Sequence, residues 1–506
     1  MRGHVNDCLR GIIASLITTA GLLSNTLLRL RIVRYTRNQK RLKRKYGINS
    51  DTPVLPYGPQ IVQSIQTKAR RRAQFAQTSG STGKPKEILY TKRRLLTLKL
   101  TFSEMFARAC HAFAIKRTSL YVFSSFQTDE SLTSLLLDEN SLPNYISTLQ
   151  APYRIQQHPA IKSLIAKYGS AAVRLWILTI SNPGVLYSTN PSTISTFLDE
   201  LATDWRRSSA LISDWHHNPR SFASAVHKSA RRLDSRGSAD RMELITKSNA
   251  PLPLSTCAPA VSAYICWTGG YVKPFLDRLA AHLPSPRYKL IPMYSMSTET
   301  IETLPYFRGE DIAFLPIGAG VVYEFIDGTT LLDPQQLEPG TLYAMVVSDR
   351  YGLRRYQTDD LFLCKRKING LPDLAFARRR SLEYSFTGEK LTADQLSAVF
   401  DQLRALYPSV LADKFLTCVP AQPAHGLPHY KVLLIGDALN SGAHHLLARR
   451  CDELLSEINC EYKSKRTSGR LGPVTFVEAP MKDFPSQFKF LPLYRHEDAQ
   501  AISRVS

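Results

Sequence analysis

The sequence predicts an α/β protein, with a large layered N-terminal domain that carries an appended antiparallel sheet or small barrel, and a smaller, mobile α+β C-terminal domain. Three observations lead to this prediction. Apolar strand-like segments alternate with helical patterns in the first half of the chain, short strands split by Gly and Pro follow between residues 316 and 364, and residues 380–506 contain strands and helices of their own. A chain of 506 residues is also too long for one compact core.

The N-terminal segment combines an apolar pattern with a dense basic patch. Residues 11–28 carry no charge, and apolar residues recur there at helical spacing: Leu9, Ile12, Ile13, Leu16, Ala20, Leu23, Leu27 and Leu30. The stretch is barely long enough to cross a bilayer and contains several hydroxyl residues, so we favour an amphipathic helix packed on the protein over a membrane anchor. The basic residues that follow are Arg29, Arg31, Arg34, Arg37, Lys40, Arg41, Lys43, Arg44 and Lys45. We interpret them as a solvated helix face and keep contact with a membrane surface as the alternative.

Charge and cysteine usage indicate which partners and which cellular compartment to expect. The formal net charge of +23 is spread along the chain, and neither an aromatic ladder nor a nucleic-acid motif accompanies it, so we expect no nucleic-acid partner. The eight cysteines form no Cys-x-x-Cys pair, and the twelve histidines fall outside metal-ligand spacings. We therefore expect reduced thiols and a cytoplasmic protein.

A loop rich in hydroxyls, glycines and lysines is the strongest chemical signal in the chain. Its candidate phosphate-binding residues are Thr78, Ser79, Gly80, Ser81, Thr82, Gly83 and Lys84. Glycines let backbone N–H groups approach phosphate oxygens, the hydroxyls add donors, and lysine supplies positive charge. Because no Lys-Ser/Thr pair follows a second glycine at the Walker spacing, the loop predicts a nucleotide-using enzyme of another kind.

Local patterns around this loop predict most of the remaining elements. A short strand is expected at 87–91 and a helix at 92–111, followed by a strand at 171–180, a helix at 192–201 and polar helical segments over 204–252. Further strands are expected at 288–292, 321–326, 341–348 and 361–364. In the last part of the chain, strands at 431–435 and 474–478 flank a helix at 443–458.

Three clusters downstream of the loop complete a candidate nucleotide site. In residues 294–299 an aromatic ring could stack on adenine, a hydroxyl could bind the α-phosphate, and the carboxylate of Glu299 could hold a magnesium ion. In residues 352–361 a carboxylate suited to the ribose hydroxyls is present, at Asp359 or the adjacent Asp360. An arginine run, which includes Arg378, lies where the smaller domain is expected to start.

The four clusters together resemble the adenylate-forming superfamily of acyl-CoA synthetases and luciferases. Within it, the wide gap between the loop and Tyr294 is similar to that of the auxin-responsive (Gretchen Hagen) acyl acid amido synthetases. Further matches to that family are the Gly-Glu-Lys-Leu element at 388–391, the residues Asn459, Tyr462 and Arg466, and the segment at 487–489. The resemblance covers nearly the whole chain.

The resemblance implies an ATP- and magnesium-dependent ligase that activates a small carboxylic acid as an acyl-adenylate and transfers the acyl group to an amino acid or another amine. It places Tyr294, Ser297, Thr298 and Asp360 with the loop at the nucleotide. It further implies Glu299 at magnesium, Arg378 at the hinge and Lys489 entering from the small domain. The implied division is 1–48 for the N-terminal helices packed on the large domain, 49–379 for the large domain and 380–506 for the small one. The alternatives are an acyl-CoA ligase and a non-catalytic descendant associated with membrane or nucleic acid.

Overall fold

The computed structural model describes most of the chain. The described residues are 2–55, 74–77, 87–123, 155–156, 158–269, 272–293, 295–297, 299–379, 383–384, 386, 389, 391–421, 423, 426–436, 443–481, 484 and 491–494. Within them, the side chains of residues 2–10, 74–77, 87, 89, 273–274, 359, 378–379 and 383 lie outside the description. The statements that follow concern the described parts of the chain.

A four-stranded parallel sheet forms the centre of the large N-terminal region. Its strands are β3 (Leu120–Val122), β4 (Val185–Tyr187), β5 (Ala263–Cys266) and β6 (Lys289–Pro292), side by side in that order. The helices around it are α3 (Lys92–Ala112), α4 (Ile161–Tyr168), α5 (Ser170–Ser181), α6 (Pro191–Thr203), α7 (Trp205–His217), α8 (Ser224–Leu233), α9 (Ser238–Lys247), α10 (Leu254–Cys257) and α11 (Lys273–His282). Parallel strands covered by helices confirm the α/β prediction.

One sequence prediction in this region is wrong. We expected a strand at residues 171–180, but these residues form the helix α5, in which every residue from Ala171 to Ser181 is buried. A helix that is buried on all sides is apolar on all sides, so it lacks the polar face that would distinguish it from a buried strand. The helix predicted at 192–201 is confirmed as α6.

An antiparallel sheet follows the parallel one, as the sequence predicts. Its strands, in spatial order, are β10 (Thr330–Leu332), β9 (Val321–Asp327), β11 (Leu342–Asp349), β12 (Tyr356–Ile368) and β13 (Leu371–Arg379). Two hairpins accompany it, one formed by β1 (Gln74–Gln77) with β2 (Glu87–Tyr90) and one by β7 (Leu304–Arg308) with β8 (Asp311–Leu315). The sheet packs on a hydrophobic core that it shares with neighbouring helices, and Tyr323, Phe325 and Tyr356 are fully buried in it.

A smaller α+β unit occupies the last part of the chain. Its main sheet has the order β16 (Phe415–Ala421), β17 (His429–Ile435) and β18 (Thr475–Ala479), with β17 and β18 parallel, and a short hairpin pairs β14 (Glu383–Tyr384) with β15 (Leu391–Thr392). The helices are α12 (Ala393–Leu406), α13 (Pro408–Leu411), α14 (Ala443–Ile458) and α15 (Cys460–Thr467). These elements confirm a smaller C-terminal domain, whereas the boundaries at 48/49 and 379/380 stay predictions.

The N-terminal helices α1 (Arg2–Val33) and α2 (Tyr35–Tyr46) pack on the large region, but not through the face that we expected. The buried residues of α1 are Ala14, Gly21, Leu28 and Ile32, and the first three recur every seven residues on the side that packs against α3. A Cβ added at Gly21 would lie 2.1 Å from the carbonyl oxygen of Ala107, so only glycine permits this close approach of two helix backbones. Most of the predicted apolar stripe, including Leu23, is instead exposed, whereas Ile13 is half-buried and the side chain of Leu9 lies outside the description. Both faces have helical spacing. The face with Ala14 and Gly21 is the packed one, because its small residues let the two helices approach closely.

A buried ionic cluster joins α2 to the antiparallel sheet. Arg355, in the turn between β11 and β12, donates from Nε and Nη2 to the two carboxylate oxygens of Glu324 at 3.0 and 3.1 Å. Its Nη1 donates to the carbonyl oxygen of Thr52 at 2.7 Å. Lys43 of α2 reaches the same Glu324 carboxylate at 2.9 Å. Charge-assisted bonds of this kind fix geometry strongly because both charges are removed from water.

Candidate functional site

The carboxyl edge of the parallel sheet is the candidate functional site. In open α/β sheets the loops that leave the carboxyl ends of the strands meet at one edge and form a crevice there. In this chain the loop after β5 carries Trp267, and the loop after β6 leads directly to Ser295, Ser297 and Glu299. The fold therefore brings the predicted α-phosphate and magnesium residues to the edge where α/β folds bind ligands.

The loop that holds Glu299 is closed by a short backbone ladder. The N–H of Ser297 donates to the carbonyl oxygen of Thr300 at 3.1 Å, and the N–H groups of Glu302 and Thr303 both donate to the carbonyl oxygen of Ser295 at 3.1 Å. The Ser295 hydroxyl also donates to the buried Glu302 carboxylate. Ser297 and Glu299 are thus presented on a rigid turn. Such preorganisation is what adenylyl transfer requires, because its rate depends on positioned charges and donors.

Arg94, in the first turn of α3, ties this turn to the segment that follows the predicted phosphate loop. Its Nη2 donates to the carbonyl oxygen of Glu299, and its guanidinium lies 4.3 Å from the ring centroid of Tyr90 and 5.2 Å from that of Tyr351. Burial raises the pKa of Tyr90 to about 12, so the ring stays neutral beside the cation. Two aromatic faces and a carbonyl oxygen hold a planar guanidinium in one orientation.

A buried carboxylate lies behind this arginine. Oδ1 of Asp349 accepts hydrogen bonds from the N–H groups of Tyr351 and Leu353 at 2.8 and 3.0 Å. Burial raises the pKa of the Asp349 carboxyl group, while the positive charge of Arg94 opposes that rise. Asp349 therefore orders the turn that presents Tyr351 to Arg94.

We predict that Arg94→Lys lowers acid-dependent exchange of pyrophosphate into ATP by roughly ten- to a hundredfold and raises the magnesium concentration needed for half-maximal rate. Lysine keeps the charge, but it cannot lie flat between two rings while it donates to the Glu299 carbonyl. The measurement is the exchange rate over a magnesium titration. Lys92→Gln, an exposed neighbour at the start of α3, is the control and should match the wild type. An unchanged magnesium dependence in Arg94→Lys would contradict this positioning role.

Asp360, predicted to bind the ribose, is a buried residue in β12, where it lies opposite Arg379 of β13. Two residues further along, Phe362 contacts Phe376 edge to face, with 5.8 Å between the ring centroids. Phe376 in turn lies 5.4 Å from the ring of Trp267 at the carboxyl edge of the parallel sheet. An aromatic chain thus connects β12 with the candidate site.

Several predicted site residues lie outside the described parts of the chain. These are Thr78, Ser79, Gly80, Ser81, Thr82, Gly83, Lys84, Tyr294, Thr298 and Lys489. Arg378 belongs to β13, but its side chain is not described either. The structure does describe β1 and β2 on either side of the loop, paired as a hairpin from Gln74 and Tyr90 to Gln77 and Glu87. The roles of all these residues remain predictions.

The C-terminal residues on which the family resemblance depends are held by hydrogen bonds within the small domain. Asn459 caps α15, since its Oδ1 accepts from the Tyr462 N–H at 2.9 Å, and its Nδ2 donates to the carbonyl oxygen of Glu389 at 2.9 Å. Arg466 donates to both carboxylate oxygens of Asp452, from Nε at 2.8 Å and from Nη2 at 2.9 Å. Their matching pattern therefore reflects how this domain is built.

The residues of the site could hold a magnesium ion only together with a bound nucleotide that supplies further ligands. In the described residues no three His, Cys, Asp or Glu side chains are grouped so that they could enclose a metal. Glu299 contributes a buried carboxylate in a rigid turn. Magnesium in nucleotide enzymes is commonly held by one or two carboxylates together with phosphate oxygens and water.

Part of this sequence is similar to known proteins. Residues 314–379, which contain β9, β11, β12 and β13 and therefore Asp360, match the model of the GH3 family central domain. Among curated proteins, the indole-3-acetic acid-amido synthetase GH3.8 of Oryza sativa subsp. indica is 26% identical over 153 residues, which is 29% of this chain and 25% of that protein.

A second sequence relative gives a similar picture. The probable indole-3-acetic acid-amido synthetase GH3.9 of Oryza sativa subsp. japonica is 26% identical over 174 residues, which is 32% of this chain and 38% of that protein. The matched stretches thus span a quarter to two fifths of the length of these relatives. Both relatives are plant GH3 enzymes, in agreement with the resemblance deduced from the motifs.

Solved structures extend the likeness to the whole chain. The structure of AtGH3.15 acyl acid amido synthetase in complex with 2,4-DB covers 92% of this chain and 88% of its own, with a TM-score of 0.68 and 16% identity. A 2-hydroxyisobutyryl-CoA ligase in the postadenylation state covers 97% of this chain and 91% of its own, with a TM-score of 0.50 and 11% identity. At such identities the likeness shows the fold. That fold is the one shared by GH3 and other adenylate-forming enzymes, with a large N-terminal and a smaller C-terminal domain.

Local sequence patterns do not identify three residues of the site, which are Arg94, Asp349 and Trp267. An arginine in the first turn of a helix that directly follows a phosphate-type loop was an available signal for Arg94. Its partners Glu299 and Tyr351 are remote in the sequence, so the contact itself could not be seen.

Proposed function

We propose that this chain is an ATP- and magnesium-dependent acyl acid amido synthetase, which joins a small carboxylic acid to an amino acid or another amine. The observation that carries the proposal is the buried Glu299 carboxylate at the carboxyl edge of the parallel sheet, in a loop whose Glu299 carbonyl oxygen accepts a hydrogen bond from Arg94. The GH3 central domain match over 314–379 and the fold shared with GH3.15 support it.

The proposed reaction has two steps in one site. A carboxylate oxygen of the acid attacks the α-phosphorus of ATP, the bond to the bridging oxygen breaks, and pyrophosphate leaves. The amine nitrogen then attacks the acyl carbonyl carbon, AMP leaves, and the amine loses a proton. Neither step needs a covalent bond to the protein, so the enzyme contributes position and electrostatics.

The residues divide this work between them. The loop from Thr78 to Lys84 would surround the phosphates, Ser297 and Thr298 would lie at the α-phosphate, and Asp360 would accept the ribose hydroxyls. Tyr294 would stack on the adenine. A magnesium ion at Glu299 would neutralise charge on the phosphate oxygens when it is bound. Lys489 would enter from the small domain during adenylation.

An apolar wall at the carboxyl edge of the parallel sheet supports an acid with an apolar or aromatic body. Trp267 and Phe376 are half-buried at the sheet edge, and Met293 lies between β6 and the Glu299 loop. Apolar pockets with a few polar groups are typical of small-molecule sites. The relatives are named for indole-3-acetic acid, and the GH3.15 structure is a complex with 2,4-DB, which agrees with such a wall.

The second step would require the small domain to move. We propose that residues 380–506 rotate about the segment next to Arg378 after adenylation, so that the face presented to the adenylate changes. Contacts between the domains include the tilted ring pair Phe275 and Phe415, with 4.1 Å between the ring centroids, and a hydrogen bond from Arg278 to the carbonyl oxygen of Asp413. Contacts of this kind would have to be exchanged during a domain rotation.

Coenzyme A as acceptor is the second candidate. The fold match to a 2-hydroxyisobutyryl-CoA ligase over 97% of this chain favours it. The two candidates share the first step and differ only in the nucleophile of the second.

The decisive experiment is isotope exchange of pyrophosphate into ATP with the purified full-length protein and a panel of aliphatic and aromatic acids. We expect exchange that needs an acid, stops with a magnesium chelator and returns when magnesium is added. Mass spectrometry of products with amino acids or coenzyme A then identifies the acceptor. Folded protein that shows no exchange with any acid would contradict the proposal.

A further inference from the structure

The exposed side of α1 is an apolar stripe without a partner in the described parts of the chain. Ile12, Leu16, Leu23, Leu27 and Leu30 recur at spacings of three, four and seven residues and are between 47% and 65% exposed. The stripe lies about 150° around the helix axis from the packed residues of the same helix. Single exposed apolar residues are ordinary, but a continuous row along five turns marks an interaction surface.

The packing of α1 favours a helix that lies on a surface over one that crosses a bilayer. The segment Gly11–Val33 is long and apolar enough to span a membrane, with a mean hydropathy of 1.6. Its opposite side, however, packs on α3 with the close approach at Gly21, and Arg31 pairs with Glu104 of α3 at 3.7 Å. A spanning helix would have to give up these contacts. It would also uncover Arg108, whose buried guanidinium lies 3.5 Å from the Ser24 hydroxyl.

A basic cleft begins where the stripe ends. It has a volume of about 650 Å³ and runs between α2, the start of α3 and the turns that flank β9 and β11. Six basic side chains line it: Arg31, Arg41, Lys45, Arg93, Arg350 and Arg354. No Asp or Glu is among its lining residues. Further exposed cations lie on α1, on α2 and at the junction between them, and these are Arg29, Arg34, Arg37, Lys40 and Arg44.

We propose that α1, α2 and the basic cleft together dock the protein onto an anionic phospholipid bilayer. The apolar stripe enters the boundary between headgroups and acyl chains, and the cleft receives phosphate-bearing headgroups. Stable peripheral binding generally takes two such signals, an apolar one and a basic one, and here they adjoin on one surface. The surface contains none of the residues assigned to ATP, so the inference is independent of the proposed function.

The test is co-sedimentation of the full-length protein with phosphatidylcholine vesicles that contain about one third phosphatidylserine, at physiological salt, beside vesicles of phosphatidylcholine alone. We expect strong binding to the anionic vesicles and weak binding to the neutral ones. Leu23→Glu with Leu27→Glu, and separately Arg41→Glu with Lys45→Glu, should each lower the partition coefficient roughly tenfold or more.

A matched control distinguishes binding through this surface from a general effect of the protein's net charge. Arg206→Glu with Arg231→Glu changes the same number of charges at exposed positions of α7 and α8, and it should lower binding no more than about twofold. Thermal unfolding and the pyrophosphate exchange rate show whether each variant is folded.

Four results would overturn the proposal. The first is equal binding to neutral and anionic vesicles, and the second is equal loss in the control and the Arg41/Lys45 variant. The third is binding that survives extraction with alkaline carbonate, which would indicate a spanning helix. Soluble glycerophosphoserine should not compete at the concentration of the vesicle headgroups. Full competition would instead make the cleft a site for free phosphate compounds and would equally overturn bilayer docking.

Discussion

Replacing Glu299 by alanine is expected to abolish acid-dependent exchange of pyrophosphate into ATP, with a loss of about a thousandfold. Glu299 is 4% exposed and lies in a rigid turn, so its carboxylate is held where the phosphates are proposed to bind. Removing one preorganised charge or donor from such a site typically costs a hundred- to a thousandfold in rate, and loss of a metal ligand belongs at the upper end. The measurement is the exchange rate at saturating acid over a range of magnesium concentrations.

Two further variants keep the Glu299 prediction falsifiable. Glu299→Gln preserves the shape and should fold like the wild type, yet it should lose activity to a similar degree, because the charge is what matters. Glu310→Gln removes a carboxylate that is 79% exposed on the β7–β8 turn and should leave exchange unchanged. Activity retained in a folded Glu299→Gln protein would refute the magnesium assignment.

Replacing Arg355 by alanine is expected to lower the free energy of unfolding by about 3 to 5 kcal/mol, the usual cost of breaking a buried ion pair. The side chain is 10% exposed, and that of its partner Glu324 is 3% exposed. The variant would leave Glu324 with Lys43 as its remaining cation and would remove the hydrogen bond to the Thr52 carbonyl. Because Lys43 stays in place, we expect a value near the lower limit. Urea denaturation followed by circular dichroism measures the change.

An exposed ion pair provides the matched control for Arg355. Arg207 and Asp204 lie 3.2 Å apart at 66% and 48% exposure, so Arg207→Ala should change stability by no more than about 0.5 kcal/mol. The double variant Arg355→Met with Glu324→Leu should recover much of the loss, since it leaves no unpaired charge between the two positions. A loss below about 1 kcal/mol for Arg355→Ala would show that the cluster contributes little.

Much of the fold could be predicted from local patterns. The helix α3, the strands β2, β9, β11 and β17 and the helix α14 appear where periodicity and turn residues place them. The failure at α5 has the opposite cause, because a segment buried on every side lacks the alternation on which such predictions depend. At the N terminus the helix itself was predicted correctly. Its packed face was not, since two apolar faces compete and the partner α3 decides between them.

The candidate site likewise has features that local sequence patterns predict and features that depend on tertiary packing. The sequence by itself determined which residue types are available and in what order: the loop at 78–84, the cluster at 294–299, the carboxylate at 360 and the small-domain motifs. This order was sufficient for the resemblance to acyl acid amido synthetases. Only the tertiary structure decided that Arg94 bonds to the Glu299 carbonyl, across 205 residues of chain, and that the apolar stripe of α1 remains exposed beside a basic cleft. The physical reason is that motifs and periodicity are local properties of the chain. Burial and contact, by contrast, depend on neighbours that folding brings from far along the sequence.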